Sequence, residues 1–214
     1  MNIRAALKKA ADTLFPCIPA CVACGVEKGV TNYLCPDCRK EMDALRAGQS
    51  VIGRFHAFSA CEYRGLAARL VQRYKYSDDK WLCAFMASAM AQACDMAGAD
   101  VICHVPLHDK RRKSRGFDQA EELAQQLSRL TGKPFVRALK RVRNTPTQTK
   151  LSAAERQRNV ADAFESVCPV SGRALLVDDV LTTGATAAEC ASALLKSGAQ
   201  TVVVLTFARA ALPE

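Results

Sequence analysis

The sequence predicts an α/β protein with a parallel sheet covered by helices on both faces, preceded by a small cysteine-rich module. Three observations support this fold class. The chain has 214 residues, enough for one mid-sized domain and a small module. Its second half alternates short apolar runs with helical stripes, a pattern typical of parallel sheets. Two Cys-x2-Cys pairs lie before residue 50, so residues 1–50 are predicted as the module and 51–214 as the α/β domain.

The elements follow in chain order from apolar periodicity. Helices are predicted over residues 3–14, 66–74, 80–96 closed by Gly98, 117–130 and 186–197, and strands over 58–63, 101–105, 135–139, 174–177 and 202–207. The polar stretch 141–164 contains Pro146 and a capping box at Ser152 and Glu155, and is interpreted as a functional loop with a short helix. Because parallel sheets bind ligands at the carboxyl ends of their strands, the site is expected at that edge.

Composition excludes several classes of protein. Half of the residues are hydrophobic and 24% are charged, which excludes wholesale disorder. No apolar run approaches the roughly 18 residues of a membrane span, and the N-terminus lacks the apolar core of a secretory signal, so a cytoplasmic protein is expected. Eleven cysteines, an odd number, argue against a disulfide scaffold. The six scattered ones are expected to be small buried hydrophobes: Cys61, Cys83, Cys94, Cys103, Cys168 and Cys190.

Positive charge is concentrated in one segment. Residues 107–160 contain fourteen Lys and Arg against five acids, so this segment accounts for the whole net charge of +9. Such a segment favours an anionic ligand, either a phosphorylated small molecule or a nucleic-acid backbone. A solvated basic surface is the alternative interpretation.

The cysteine module has the spacing of a metal site. Two pairs are separated by ten residues: Cys21, Cys24, Cys35 and Cys38. Each pair can bring two thiolates together at a tight turn, which suits Gly25 and Pro36, and two pairs complete a tetrahedral site for zinc. With all four positions taken, the zinc would be structural rather than catalytic. A redox or incidental cluster is the alternative, and Cys17 could substitute for Cys21.

The stretch 174–186 has the features of a phosphate-binding loop. An apolar strand leads into Asp178 and Asp179, and a Thr- and Gly-rich loop then opens a helix. Backbone N–H groups at a helix N-terminus bind phosphate, and Gly184 has no Cβ to block its approach. Carboxylates at the strand tip can accept sugar hydroxyls or hold Mg²⁺ through water. The alternative is a capped strand-to-helix turn without a ligand.

Residues 177–186 (VDDVLTTGAT) resemble the phosphoribosyl pyrophosphate (PRPP) motif of type I phosphoribosyltransferases. Over nearly the whole chain the sequence resembles the ComF/GntX-like family, phosphoribosyltransferase-like proteins linked in many bacteria to uptake of transforming DNA. The four-Cys module, Lys75-Tyr76, the stretch 104–108 followed by basic residues, and 115–119 (RGFDQ) carry this resemblance. Two residues depart from the family pattern: His104 replaces Pro, and Asp118 replaces Asn. A carboxylate beside an anion-binding loop is expected to weaken its attraction for pyrophosphate.

The resemblance implies a type I phosphoribosyltransferase-like sheet and a set of site residues. The 5′-phosphate of PRPP would lie on the loop of Thr182, Thr183, Gly184, Ala185 and Thr186, with Asp178 and Asp179 as catalytic residues at the ribose hydroxyls. The pyrophosphate would face the loop of Pro106, Leu107, His108, Arg111 and Arg115, with Lys75 and Arg156 closing over it. Mg²⁺ would accompany PRPP. The implied function is a PRPP-binding phosphoribosyltransferase-like protein that serves DNA uptake in natural competence, with an unidentified acceptor.

A function of another class fits the same residues. A non-catalytic adaptor could sense PRPP or a nucleotide and bind single-stranded DNA or a DNA-uptake protein through the basic segment. The spacing of His56, His104 and His108 indicates no second metal site. Trp81 and the few other aromatic residues are expected in the core rather than in a base-stacking row. A short module on a basic domain is compatible with a monomer or a dimer.

Overall fold

A computed structural model of the chain describes residues 20–76, 79–108, 112, 116–143 and 162–211. Several sequence predictions lie outside these residues. They are the helix over 3–14, the capping box at Ser152 and Glu155, the extra thiol Cys17, and the basic residues Arg111, Arg115 and Arg156.

The described residues form a five-stranded sheet with one antiparallel edge. Its strands are β1 (Arg46–Ile52), β2 (Phe55–Glu62), β3 (Val101–His104), β6 (Arg173–Leu181) and β7 (Thr201–Arg209). The order is β1-β2-β7-β6-β3, in which β2, β7, β6 and β3 are mutually parallel and β1 is antiparallel to β2. Two short strands, β4 (Leu139–Arg141) and β5 (Phe164–Ser166), form a separate antiparallel pair. The four parallel strands therefore present their carboxyl ends at one edge.

Helices cover both faces of the sheet. They are α1 (Pro36–Asp43), α2 (Gly65–Tyr76), α3 (Lys80–Ala93), α4 (Gln119–Thr131) and α5 (Ala185–Lys196). Apolar residues of α2, α3 and α4 form one core cluster, and those of α5 pack with β4 and β5 in a second cluster on the opposite face. Helix α4 shows how the sequence sets these elements, since Asp118 caps its start, Leu123 and Leu127 are fully buried, and Gly132 ends it with a φ of 71°. The predicted α/β fold is confirmed.

Predicted elements differ from the structure at several places. Residues 135–138 are not a strand: Phe135 makes a single bridge to Ile102, and the chain then turns, with Ala138 N–H donating to the carbonyl of Val136. Helix α3 ends at Ala93 rather than residue 96, because Asp95 accepts the N–H of Ala97 and caps a separate 3-10 turn, Met96–Gly98. Strand β6 continues to Leu181, so the two adjacent acids lie within it.

Strand β1 was not predicted from the sequence. Its residues, RAGQSVI, lack an apolar alternation, and all of them are exposed or half-buried at the edge of the sheet. Pairing with β2 holds the strand in place. The strand spans the predicted domain boundary between residues 50 and 51, and the division into two domains stays a prediction.

The cysteine module packs on the main core. Cys21, Val22, Leu34 and Cys35 belong to the same apolar cluster as residues of α2 and α3. Glu41 of α1 accepts the backbone N–H of Leu66 at 2.9 Å, which joins the module to the start of α2.

All ten cysteines in the described part of the chain are free thiols. Of the scattered six, Cys61, Cys83, Cys103 and Cys190 are buried, whereas Cys94 and Cys168 are half-buried. Within the described ranges, no helix has both the length and the apolarity needed to cross a bilayer.

Candidate functional site

Two acids and a lysine meet near the carboxyl end of β6. Lys75, in the last turn of α2, places its Nζ 3.3 Å from Oδ2 of Asp179. This ion pair is protected, because the side chains are only 20% and 15% exposed. The backbone N–H of Asp179 donates to Oδ1 of Asp178 at 2.8 Å. The structure therefore brings together three residues that the sequence assigned to one site.

The surroundings of Asp178 favour a cationic partner. Burial and the neighbouring Asp179 raise its pKa well above the ordinary aspartate value, while the N–H of Asp179 and Lys75 act in the opposite direction. A carboxylate held in a place that disfavours its charge gains from a ligand that brings positive charge or hydroxyl donors. Mg²⁺ and a sugar diol are ligands of those two kinds.

The loop after β6 leads directly into a helix. Thr182 is exposed, Thr183 is half-buried and Gly184 is buried, and α5 begins at Ala185 with Thr186 in its first turn. Because the first N–H groups of a helix lack partners within it, this end of α5 can bind an anion. No acidic residue lies in its first turn to compete.

Gly184 is required for a reason that the sequence did not reveal. Its φ is 77°, and a Cβ at this position would overlap the side chain of Ile52 at the end of β1. The missing Cβ was expected to leave room for a ligand, whereas Ile52 fills that space. The end of β1 therefore packs against residues 182–186, called the phosphate-type loop below.

A second loop leaves the neighbouring strand. Val105 N–H donates to the carbonyl of Val177, Pro106 is buried, and Leu107 and His108 are half-buried. This pairing places the start of the loop beside β6, next to the strand that carries the acids. Arg111 and Arg115, predicted for the same loop, lie outside the described residues.

Asp118 is turned into the protein rather than toward the loop surface where pyrophosphate was expected. Its side chain is 6% exposed, and its two oxygens accept the N–H groups of Leu107 at 2.8 Å and Glu121 at 3.2 Å. Burial raises its pKa, against the effect of those donors. The departure at this position therefore provides a helix cap and an anchor for the loop.

His104 joins Asp118 and Glu121 in a buried cluster. Potential ligand atoms of the three side chains lie within 4.8 Å of one another. Burial lowers the pKa of His104, although both carboxylates favour its charged form. The expectation that the histidine spacing indicates no second metal site stays a prediction, but histidine spacing alone cannot show the carboxylates that a helix brings close to His104. The spacing Asp118-x-x-Glu121 at the start of a predicted helix was the one sequence feature that could have indicated this cluster.

The four predicted cysteines meet at one point. Their sulfur atoms all lie within 4.8 Å of one another, and Sγ of Cys24 is 3.7 Å from Sγ of Cys35. A zinc tetrahedron with bonds of about 2.3 Å has sulfur–sulfur edges of about 3.8 Å, so this arrangement fits zinc. Both turns have the expected form, with Gly25 at a φ of 78° and Pro36 at the start of α1.

The thiols differ in their tendency to ionise. Burial opposes ionisation of Cys21, but the N–H groups of Cys35, Cys24 and Ala23 lower its pKa to about 6. Burial and the neighbouring thiols raise the pKa of Cys38. The first thiol therefore ionises readily, and its negative charge makes ionisation of the neighbouring thiols harder. A bound cation would relieve the repulsion between the thiolates.

A cavity of about 490 Å³ opens beside the phosphate-type loop. Its lining includes Thr182 and Thr183 of the loop, Ile52 of β1, and the charged residues Glu62, Arg64 and Arg209. Arg64 Nε lies 2.6 Å from Oε2 of Glu62, so part of this charge is internally paired.

The expectation that Trp81 lies in the core was wrong. The residue is 64% exposed on α3, and its ring centroid is 6.5 Å from that of Tyr33 in the cysteine module. Tyr76 is 78% exposed. Trp81 occupies an apolar run, so periodicity could not separate it from the core residues around it.

Several known proteins similar to this chain are named as DNA utilization or competence proteins. No protein-family model matches it. DNA utilization protein YhgH of Salmonella typhi is 33% identical over 201 residues, which cover 90% of this chain and 85% of that protein. Competence protein F of Haemophilus influenzae is 32% identical over 204 residues, with the same two shares of 90% and 85%. Competence protein ComFC of Bacillus subtilis is 28% identical over 190 residues, covering 83% and 72%.

Among solved structures, a glutamine PRPP amidotransferase from B. subtilis in complex with ADP and GMP is 23% identical, with a TM-score of 0.43. That match covers 63% of this chain and 30% of that chain.

Proposed function

The chain belongs to the family of DNA utilization protein YhgH and competence protein F, and we propose that it binds PRPP with Mg²⁺ at the carboxyl edge of its sheet. In this proposal it is a cytoplasmic phosphoribosyltransferase-like protein that serves the use of incoming DNA in natural competence. The observation that supports this most is the Asp178–Asp179–Lys75 group followed by the loop into α5.

Each part of the edge has a place in PRPP binding. Residues Thr182 to Thr186 would hold the 5′-phosphate with backbone N–H groups, because the helix N-terminus carries partial positive charge. Asp178 and Asp179 would accept the ribose hydroxyls. Lys75 and the loop from Pro106 to His108 would face the pyrophosphate, which requires Lys75 to exchange Asp179 for the ligand.

The proposed chemistry is displacement at the ribose C1. The bond from C1 to the pyrophosphate oxygen breaks, the acceptor forms a new bond to C1 with its lone pair, and pyrophosphate leaves with the electron pair. Mg²⁺ would neutralise charge on the pyrophosphate. The residues of this chain would hold the ribose in place and stabilise the separating charges. The cavity lined by Arg209, Glu62 and Thr183 is the proposed acceptor pocket.

Comparing two ligands tests this arrangement. Ribose 5-phosphate has the 5′-phosphate and the diol but no pyrophosphate, so Lys75→Met should weaken Mg²⁺-PRPP binding at least about tenfold and weaken ribose 5-phosphate binding much less. Thr183→Val should weaken both. Lys140→Met is the matched control, because Lys140 of β4 is a 55% exposed lysine that pairs with Glu165 of β5. Equal PRPP affinities for the two lysine variants in calorimetry would contradict the proposal.

We also propose that the four cysteines hold one structural zinc ion. The sulfur positions fit a tetrahedron, and the module is too small to bury much apolar surface by itself. The zinc would fix the orientation of α1, which contacts the start of α2 through Glu41. Since Lys75 lies at the other end of α2, the module would help place the lysine.

A second candidate function is a non-catalytic adaptor that binds single-stranded DNA. The observation that favours it is the exposed Trp81 beside Tyr33, since nucleobases stack on such rings. Trp81 is the only tryptophan of the chain, so its fluorescence reports binding at this place. Oligonucleotides should quench it, and Tyr33→Ala should weaken the effect, with a salt slope near −0.7 per phosphate contacted. Unchanged fluorescence at low salt would contradict this candidate.

A further inference from the structure

The buried cluster under the loop after β3 consists of one imidazole and two carboxylates. His104 ends β3, while Asp118 and Glu121 lie at the start of α4. His104 is 4% exposed, Asp118 is 6% exposed, and the side chain of Glu121 is 15% exposed. Two carboxylates in one protected site repel each other, so the site gains from added positive charge.

The imidazole has unused ligand capacity. Nδ1 of His104 is buried without a hydrogen-bond partner among the described residues, and Nε2 lies 3.9 Å from Oε2 of Glu121, beyond hydrogen-bond distance. Phe135 packs at 5.6 Å between ring centroids and restricts the orientation of the imidazole. A polar ring held in place and left unsatisfied among carboxylates points to a missing partner that accepts lone pairs.

Both carboxylates are oriented by other groups. Glu121 Oε1 accepts from Nε of Arg137 at 2.7 Å and from Gln125 at 3.1 Å, which leaves Oε2 toward His104. The oxygens of Asp118 each accept one backbone N–H, from Leu107 and Glu121, and each keeps another lone pair. Such outer hydrogen bonds are typical of metal ligands, which they hold in place.

We propose that His104, Asp118 and Glu121 bind a divalent transition-metal ion such as Mn²⁺ or Zn²⁺. The ligand atoms lie within 4.8 Å of one another, so modest inward rotations would bring them to bonding distance. Arg137 is the guanidinium that pairs directly with this cluster among the described residues, and it neutralises only one of the two carboxylates. The ion would tie the end of β3 to α4 and, through Asp118 and Leu107, to the base of the loop. This proposal does not depend on PRPP binding.

Manganese distinguishes this site from the cysteine module. Mn²⁺ prefers oxygen and imidazole ligands over thiolates, so it is titrated into full-length protein whose thiols are already loaded with zinc. Electron paramagnetic resonance should detect about one bound Mn²⁺ per chain. Spin-echo modulation from a directly bound imidazole nitrogen should identify His104 as a ligand.

Variants decide the location. His104→Ala and Glu121→Gln should each weaken Mn²⁺ binding by at least about tenfold. His56→Ala, which removes an exposed imidazole bonded to Gln49, should leave the affinity unchanged. If circular dichroism shows that His104→Ala is unfolded, the Mn²⁺ affinity of Glu121→Gln alone tests the location of the site. Two results would overturn the proposal. One is that neither Mn²⁺ nor Zn²⁺, each tested alone, binds beyond the zinc held by the thiols. The other is that Glu121→Gln leaves the affinity for Mn²⁺ unchanged.

Discussion

The contact between Gly184 and Ile52 gives the sharpest stability prediction. Gly184→Ala places a Cβ at a φ of 77°, where an L-residue costs about 1–2 kcal/mol. The new Cβ also overlaps the Ile52 side chain, and overpacking of this kind costs about 1–3 kcal/mol. The expected loss is therefore about 2–5 kcal/mol in the free energy of unfolding. For a chain of this size each kcal/mol lowers Tm by roughly 2–4 °C.

A matched glycine separates the two causes. Gly132 has nearly the same φ of 71°, but a Cβ there would meet nothing within 4 Å, so Gly132→Ala should cost only about 1–2 kcal/mol. Adding Ile52→Ala to Gly184→Ala should recover about 1–3 kcal/mol, whereas Ile52→Ala alone should destabilise. Urea denaturation of the four variants measures these differences. Two results together would refute the packing of Ile52 on Gly184. The first is that Gly184→Ala and Gly132→Ala lose the same free energy of unfolding. The second is that the effects of Ile52→Ala and Gly184→Ala simply add in the double variant.

Three further outcomes follow from burial and charge. Because the pKa of Asp178 is raised in the folded protein, stability is lost as pH rises from about 3.9 through that raised value. Asp178→Asn should thus raise Tm at neutral pH, with a gain that disappears toward pH ~4, and a gain independent of pH would argue against this origin. Cys24→Ser should reduce bound zinc from about one per chain to nearly none and lower Tm, whereas Cys94→Ser, at a half-buried free thiol, should retain the metal. Burial raises the pKa of Cys61 and Cys103 to about 12, so mass spectrometry should find both thiols unalkylated by iodoacetamide until the protein unfolds, and rapid labelling of either thiol in the native protein would be inconsistent with its burial.

The sequence predicted the parts of the fold that depend on local periodicity. The stripe that includes Leu123 and Leu127 marked α4, and the apolar run before Asp178 marked β6, because burial on one side or both leaves a clear pattern. The cysteine centre was predictable because two short turns determine most of its geometry. Strand β1 escaped detection, since its pairing with β2 rather than its own composition places it.

The candidate site also has parts that local sequence could predict and parts that it could not. Asp178, Asp179 and the Thr–Gly loop are neighbours in sequence, so their proximity needed no tertiary information. The 3.3 Å pair between Lys75 and Asp179 joins residues about a hundred positions apart, and only the resemblance to a family indicated it. The packing of Ile52 on Gly184 and the meeting of His104 with Glu121 have no local signature, because each depends on how separate elements cross.

Calorimetric titration of Mg²⁺-PRPP into the wild-type protein and the Asp178→Asn, Asp179→Asn variant tests the central claim most directly. The matched control is Asp100→Asn, which changes a 51% exposed aspartate at the opposite, amino end of β3. We predict saturable binding to the wild type and the control and none to the double variant. Absence of binding to the wild type, or equal binding to all three proteins, would contradict the assignment of PRPP to this edge of the sheet.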